Sequence, residues 1–141
     1  MLEEQELAMA TQVASDIIDR EPILGEIVRR LVDAYSPLRI YLFGSKARGE
    51  DGPDSDYDLM VVVPDDAPVE LQQSRRAYEA LWGFGTATDV LVCTDSFFRN
   101  RSRVPASMPA TVLREGKLIY AVQRFGTTPD SRRTASRVPR S

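Results

Sequence analysis

Two periods organise the apolar positions of this chain. Leu38 to Phe43 and Leu59 to Val63 are short, nearly continuous apolar runs bounded by turn residues, the pattern of buried strands. Thr86 to Cys93 is a third run, β-branched and apolar, interrupted by one acid, Asp89. Elsewhere the spacing is closer to 3.6. Leu7, Ala10, Ala14, Ile17 and Ile18 predict a helix over residues 2–19. Ile23, Ile27, Leu31 and Ala34 predict a second over 21–35, with Pro22 in its first turn and Ser36-Pro37 at its end. Leu71, Ala77, Tyr78, Leu81 and Trp82 predict a third over 69–82, with Trp82 as a core or interface anchor. Short helices follow over 95–100 and 109–115, the latter closed by Gly116 as a C′ glycine, and Lys117 to Tyr120 makes a final strand. The expected fold class is α/β, a small mixed β-sheet with helices packed on one face and aspartates exposed on the other.

With 141 residues, 43% of them hydrophobic and 28% charged, the chain is sized for one domain with a real core. The expected layout is N-terminal helices over 1–36, a central domain over 37–124 and a disordered tail over 125–141. That tail is Pro, Ser, Thr and Arg with almost nothing to bury. No apolar run approaches the length of a membrane span, and the acidic start, Glu3-Glu4-Gln5-Glu6, is unlike a signal peptide. A single cysteine, Cys93, suits a reducing cytoplasm, so a cytoplasmic location is expected and Cys93 is given no role. The absence of histidine excludes Ser-His and Cys-His nucleophile pairs and makes a zinc site untenable. A net charge of −3 argues against strong duplex nucleic-acid binding. Arg29 with Arg30, and Arg99 with Arg101 and Arg103, are basic clusters that read either as contact patches or as solvated faces.

The chemistry concentrates between Phe43 and Val63. Asp56 and Asp58 lie two apart at the start of the second strand, so they share a face, with Cα atoms roughly 6.5–7 Å apart at about 3.3 Å per residue. Adjacent carboxylates repel, and aspartate is a poor strand former. A divalent cation relieves both problems, and Mg²⁺ typically takes one or two carboxylates plus substrate phosphates. A frayed strand end in water is the plain alternative. Upstream, Gly44 permits close backbone approach, Ser45 offers a hydroxyl and a helix cap, and Arg48 can add a fork of donors to an anion. Glu50, Asp51 and Asp54 lie in the intervening turn-rich loop and read as solvated. Asp89 is either a third ligand or a strand-start aspartate in solvent.

Gly44-Ser45, ten residues, then Asp56-x-Asp58 resembles the signature of the DNA-polymerase-β-like nucleotidyltransferases. G-S-K-A-R-G, S-D-Y-D-L and the closing R-E-G-K-L-I-Y are similar to the minimal nucleotidyltransferase (MNT) proteins, over residues 37 to 120. The resemblance implies transfer of a nucleoside monophosphate from ATP or another NTP, with two Mg²⁺ ions held by Asp56, Asp58 and Asp89. It also implies nucleotide binding by Gly44, Ser45 and Arg48. The implied partner is a HEPN-type helical toxin, neutralised by adenylylation (AMPylation) of a tyrosine. Two other readings stay open: a non-catalytic binding antitoxin of the same fold, and a small-molecule transferase of the aminoglycoside type.

Overall fold

The computed structural model describes residues 9–13, 15–44, 47, 56–83, 85 and 87–124. The chain falls into two compact units. One is residues 13–121. The other combines residues 1–12 with 122–141 and holds all but the last residue of a strand, β1 (Met9–Val13), together with the end of β5 (Lys117–Arg124). The expected helix over 2–19 is therefore corrected: the described residues form β1 and then only a short helix, α1 (Ser15–Arg20). The helical period leaned on Ala10 and Ala14, small residues that mark a face weakly. Thr11 and Val13 are β-branched and favour extended backbone.

The larger unit continues with α2 (Pro22–Tyr35), β2 (Arg39–Phe43), β3 (Tyr57–Val63), a 3₁₀ turn at Val69–Gln72, α3 (Arg75–Ala80), β4 (Thr88–Thr94), α4 (Asp95–Arg101), α5 (Met108–Glu115) and β5. Its sheet runs β5-β2-β3-β4. β2 is antiparallel to both β5 and β3, and β3 is parallel to β4, which makes the sheet mixed. The single helix expected over 69–82 is split into the 3₁₀ turn and α3.

β3 carries the core on both its faces. Leu59, Val61 and Val63 are fully buried on one side, together with Ile40 and Leu42 of β2. α2 covers this side. Its Leu24 lines a small cavity of about 40 Å³ with Leu42 and Tyr57, and the Tyr57 hydroxyl donates to Glu21 just before the helix. The buried stripe of α2 is Leu24, Ile27, Val28, Leu31 and Tyr35. It is rotated from the expected one, because Ile23 is half exposed. α2 ends where Ser36 turns left-handed at φ 48° and donates to Val32 C=O at 2.9 Å. α3 leans on α2, where Tyr35 OH donates to Gln73 C=O.

On the opposite face, Tyr41, Met60 and Val62 meet Phe98 of α4 and Val112 of α5. Tyr41 and Phe98 stack at 5.2 Å, and the Arg39 guanidinium lies 5.5 Å from the Phe98 ring while bonding Asp95 at 2.7 Å. The fold class is α/β as expected, with the helices divided: α1 and α2 take one face, and α4 and α5 close the far end of the other. Trp82 is no core anchor; it is 84% exposed. No helix among the described residues is long and apolar enough to cross a membrane.

Gly116 ends α5 with φ −87°, so it is not the left-handed cap that its position suggests. Its reason is space. A Cβ there would lie 2.6 Å from Val112 O and 2.9 Å from Leu42 O, both backbone atoms that cannot swing away. Gly116→Ala is therefore expected to lower stability by about 1–3 kcal/mol, the usual cost of overpacking. Urea unfolding of the two proteins checks this, and equal midpoints would refute it.

Candidate functional site

Strand register assembles the acids. Asp58 is the Cα partner of Phe43 on β2 and of Asp89 on β4. Partners in adjacent strands point to the same face, so Asp58 and Asp89 stand side by side at roughly one strand spacing, about 4.8 Å. Asp56, where the sequence predicts the strand to begin, immediately precedes β3, which starts one residue later at Tyr57, and it is exposed. Tyr57 N–H still donates to Ala87 C=O at 3.1 Å, which keeps the approach to β3 in register. Asp89 is exposed as well. Asp58 and Asp89 thus stand together on the face against which α4 and α5 pack, with Asp56 one residue ahead of β3.

Gly44 belongs to this site for a reason visible in its backbone. Its φ is +78°, a region costly for any residue with a Cβ. A Cβ built there would lie 2.2 Å from Asp58 Oδ2. The Asp58 carboxylate therefore leans over Gly44, toward β2 and away from Asp89. Gly44 C=O accepts the Ala47 N–H at 3.1 Å, beginning the turn that follows β2. Ser45 and Arg48 lie outside the described residues, as do the loop acids Glu50, Asp51 and Asp54 and the tail over 125–141.

Among the described residues no three His, Cys, Asp or Glu side chains converge closely enough to hold a metal as they stand. Asp58 and Asp89, in lateral register, offer carboxylate oxygens, hard donors of the kind Mg²⁺ prefers.

Other residues singled out in the sequence lie apart from this end. Arg29 bonds both Glu26 and Asp33, and Arg30 bonds Glu26. The Arg29 hydrogen bond, then that of Arg30, holds the Glu26 carboxyl down at about 2, so this patch neutralises itself. Arg99 pairs with Asp95 at 3.3 Å, while Arg101 and Arg103 are exposed. The Cys93 thiol is pushed up to about 11 by burial and stays protonated, an inert packing group beside Met60. The contact that sequence reasoning missed is the one between Gly44 and Asp58. Its only sequence signal was a glycine directly after an apolar strand.

The profile of the nucleotidyltransferase domain family matches residues 24–125. The chain belongs to this nucleotidyltransferase family. The Gly-Ser and Asp-x-Asp segments fit the minimal nucleotidyltransferases within the polymerase-β-like superfamily. Among solved structures, a protein from Sulfolobus solfataricus provisionally described as a nucleotidyltransferase is similar at TM-score 0.48 and 21% identity, covering 74% of this chain and 82% of that one. A toxin–antitoxin structure with AMP-PNP is similar at TM-score 0.45 and 22% identity, covering 68% and 72%. No curated protein matches the chain.

Gly44→Ala in this nucleotidyltransferase domain would force the Asp58 carboxylate off its seat and strain the backbone by about 1–2 kcal/mol. The expected result is lost nucleotide-dependent activity in a protein that still folds, read by activity assay and circular dichroism together. Full activity in Gly44→Ala would show that the seat is irrelevant to the chemistry.

Proposed function

We propose that this chain is a Mg²⁺-dependent nucleotidyltransferase that moves AMP from ATP to a hydroxyl of a partner protein. We read it as the antitoxin of a pair with a HEPN-type helical toxin. Family membership supports the reaction class, and the MNT-like motifs support the kind of partner. The observation that carries the reading is the register of β3 and β4, which sets Asp58 beside Asp89.

The two Mg²⁺ ions, when bound, would neutralise the triphosphate and stabilise the attacking and leaving oxygens. Asp56 and Asp58 would hold them, with Asp89 completing the set on the acceptor side. Gly44 leaves room for the backbone to approach the phosphates, and Ser45 and Arg48 would bind the β- and γ-phosphates. In the reaction the acceptor oxygen forms a bond to the α-phosphorus. The bond from that phosphorus to the β-phosphate oxygen breaks, and pyrophosphate departs with the electron pair. The hydroxyl proton passes to Asp89 or to water. The chain's own contribution is placement and charge complementarity, the main sources of rate in phosphoryl transfer.

The test incubates the protein with Mg²⁺, host lysate and each α-³²P-labelled NTP in turn. A labelled protein band with ATP is expected, and it should vanish with Asp56→Asn or Asp58→Asn although both variants remain folded. Retention of most Mg²⁺-dependent labelling by either variant would overturn their assignment. Asp89→Asn should depress turnover more than ATP binding, because this acid faces the acceptor. An Asp89→Asn protein that loses ATP affinity yet turns over normally at saturation would reassign it. If the partner is neutralised unmodified, and equally well by Asp58→Asn, the protein inhibits by binding alone.

A further inference from the structure

Tyr57 separates the two acids of Asp56-Tyr57-Asp58 and turns to the opposite face of the sheet from Asp58. It is 5% exposed, and its hydroxyl donates to Glu21. The transfer chemistry above has no use for this contact. Glu21 is the N-cap of α2, yet its side chain makes no capping hydrogen bond there. The carboxylate reaches across to Tyr57 instead. The main chain of Glu21 is itself fixed. Its N–H donates to Ile17 and Ile18 C=O, both at 3.1 Å, and its C=O accepts the Leu24 N–H at 2.9 Å. Glu21 is therefore a firm point at the junction of α1 and α2.

The start of β3 needs such a point. Among the described residues, pairing with β2 begins at Asp58, opposite Phe43, and pairing with β4 begins one residue earlier, at Tyr57, opposite Thr88. Asp58 is thus held by a strand on each side. At Tyr57 the sheet holds the chain from the β4 side, through Tyr57 N–H on Ala87 C=O at 3.1 Å, and Asp56 precedes the strand altogether. Elements fray at ends held in this way. Repulsion between two neighbouring carboxylates pushes Asp56 in the same direction before a cation arrives.

We propose that Tyr57 and Glu21 are a positioning pair for Asp56. The hydroxyl–carboxylate bond pins the first residue of β3 to the start of α2, and so keeps the acid one residue earlier within reach of the metal that Asp58 holds. The inference rests on the transfer reading above and adds to it two residues that act through Asp56 from the other face of the sheet. Hydrogen bonds to an ionised partner are the strong ones, and a ligand held in place beforehand binds its metal without a further ordering cost. Tyr57→Phe keeps the buried ring and removes only the bond. Arg20 and Lys117 line the same cavity, so the Glu21 carboxylate left behind keeps cations nearby and the variant is expected to fold.

The probe is Mn²⁺, which takes oxygen ligands as Mg²⁺ does. Its binding to the full chain without nucleotide is measured by electron paramagnetic resonance. Amide exchange at residue 57 and the Mg²⁺ dependence of labelling from ATP are followed alongside. Tyr57→Phe should quicken exchange at residue 57 and weaken Mn²⁺ binding about tenfold, the effect of one lost hydrogen bond. The Mg²⁺ concentration for half-maximal labelling should rise by the same factor, with the full rate recovered at high Mg²⁺. Glu21→Ala should behave alike, whereas Glu21→Gln, which keeps an acceptor oxygen, should stay close to wild type. In an Asp56→Asn background Tyr57→Phe should weaken Mn²⁺ binding no further, because it acts through that acid. A Tyr57→Phe protein that melts earlier yet keeps both metal readouts would overturn the inference and leave the transfer reading standing. Equal Mn²⁺ binding by Glu21→Ala and Glu21→Gln would overturn it independently. Weakened Mn²⁺ binding in Tyr57→Phe together with undiminished labelling by Asp58→Asn would keep the positioning pair and remove the proposed role of the acids in transfer.

Discussion

β3 is hydrogen-bonded on both sides, and the rest of the larger unit depends on that. Its antiparallel pairing with β2 brings the Phe43–Gly44 turn against Asp58, and its parallel pairing with β4 brings Asp89 alongside. Neither contact is local in sequence. Both follow from a strand whose apolar residues have to be buried on two faces. A slip by one residue would send every side chain of β3 to the opposite face, placing carboxylates in the core. The aspartates are therefore located by the core, with no need for an interaction of their own.

The two faces divide the work. One is closed along its length by α2 and gives the unit its largest block of fully buried aliphatic side chains. The other is closed only at the far end, where Phe98 and Val112 pack on Tyr41, Met60 and Val62 and the Arg39–Asp95 pair ties β2 to the start of α4. This face therefore carries the Arg39–Asp95 pair at one end and Asp58 with Asp89 at the other. Proximity to a low-dielectric core strengthens any charge interaction made there.

Much of this was legible from the residues. The apolar runs gave β2 and β3 nearly to the residue, and the lone acid in a β-branched run marked Asp89. Where sequence reading failed, tertiary packing had overridden a local signal. Residues 9–13 carry one small alanine, Ala10, compatible with either period, and form a strand. The stripe of α2 turned because Leu24, not Ile23, meets the sheet. Trp82 read as a core or interface anchor, and it is no part of the core, being exposed on the turn after α3. Gly116 looked like a left-handed cap but is required by two backbone carbonyls close in space, and no sequence window reports that distance. The seat of Asp58 over Gly44 is of the same kind.

The burial of β3 has a consequence for how the site ages. Met60 to Val63 are at most 3% exposed, and Leu59 is fully buried. Amides in such a strand exchange only when the whole cooperative unit opens. Asp58 is built into this most slowly opening segment, so fraying elsewhere leaves its position intact. Asp89, on a strand bonded on one side, belongs to a less protected segment. The two carboxylates sit side by side yet draw on different reserves of local stability, and partial unfolding would separate them by releasing β4 first.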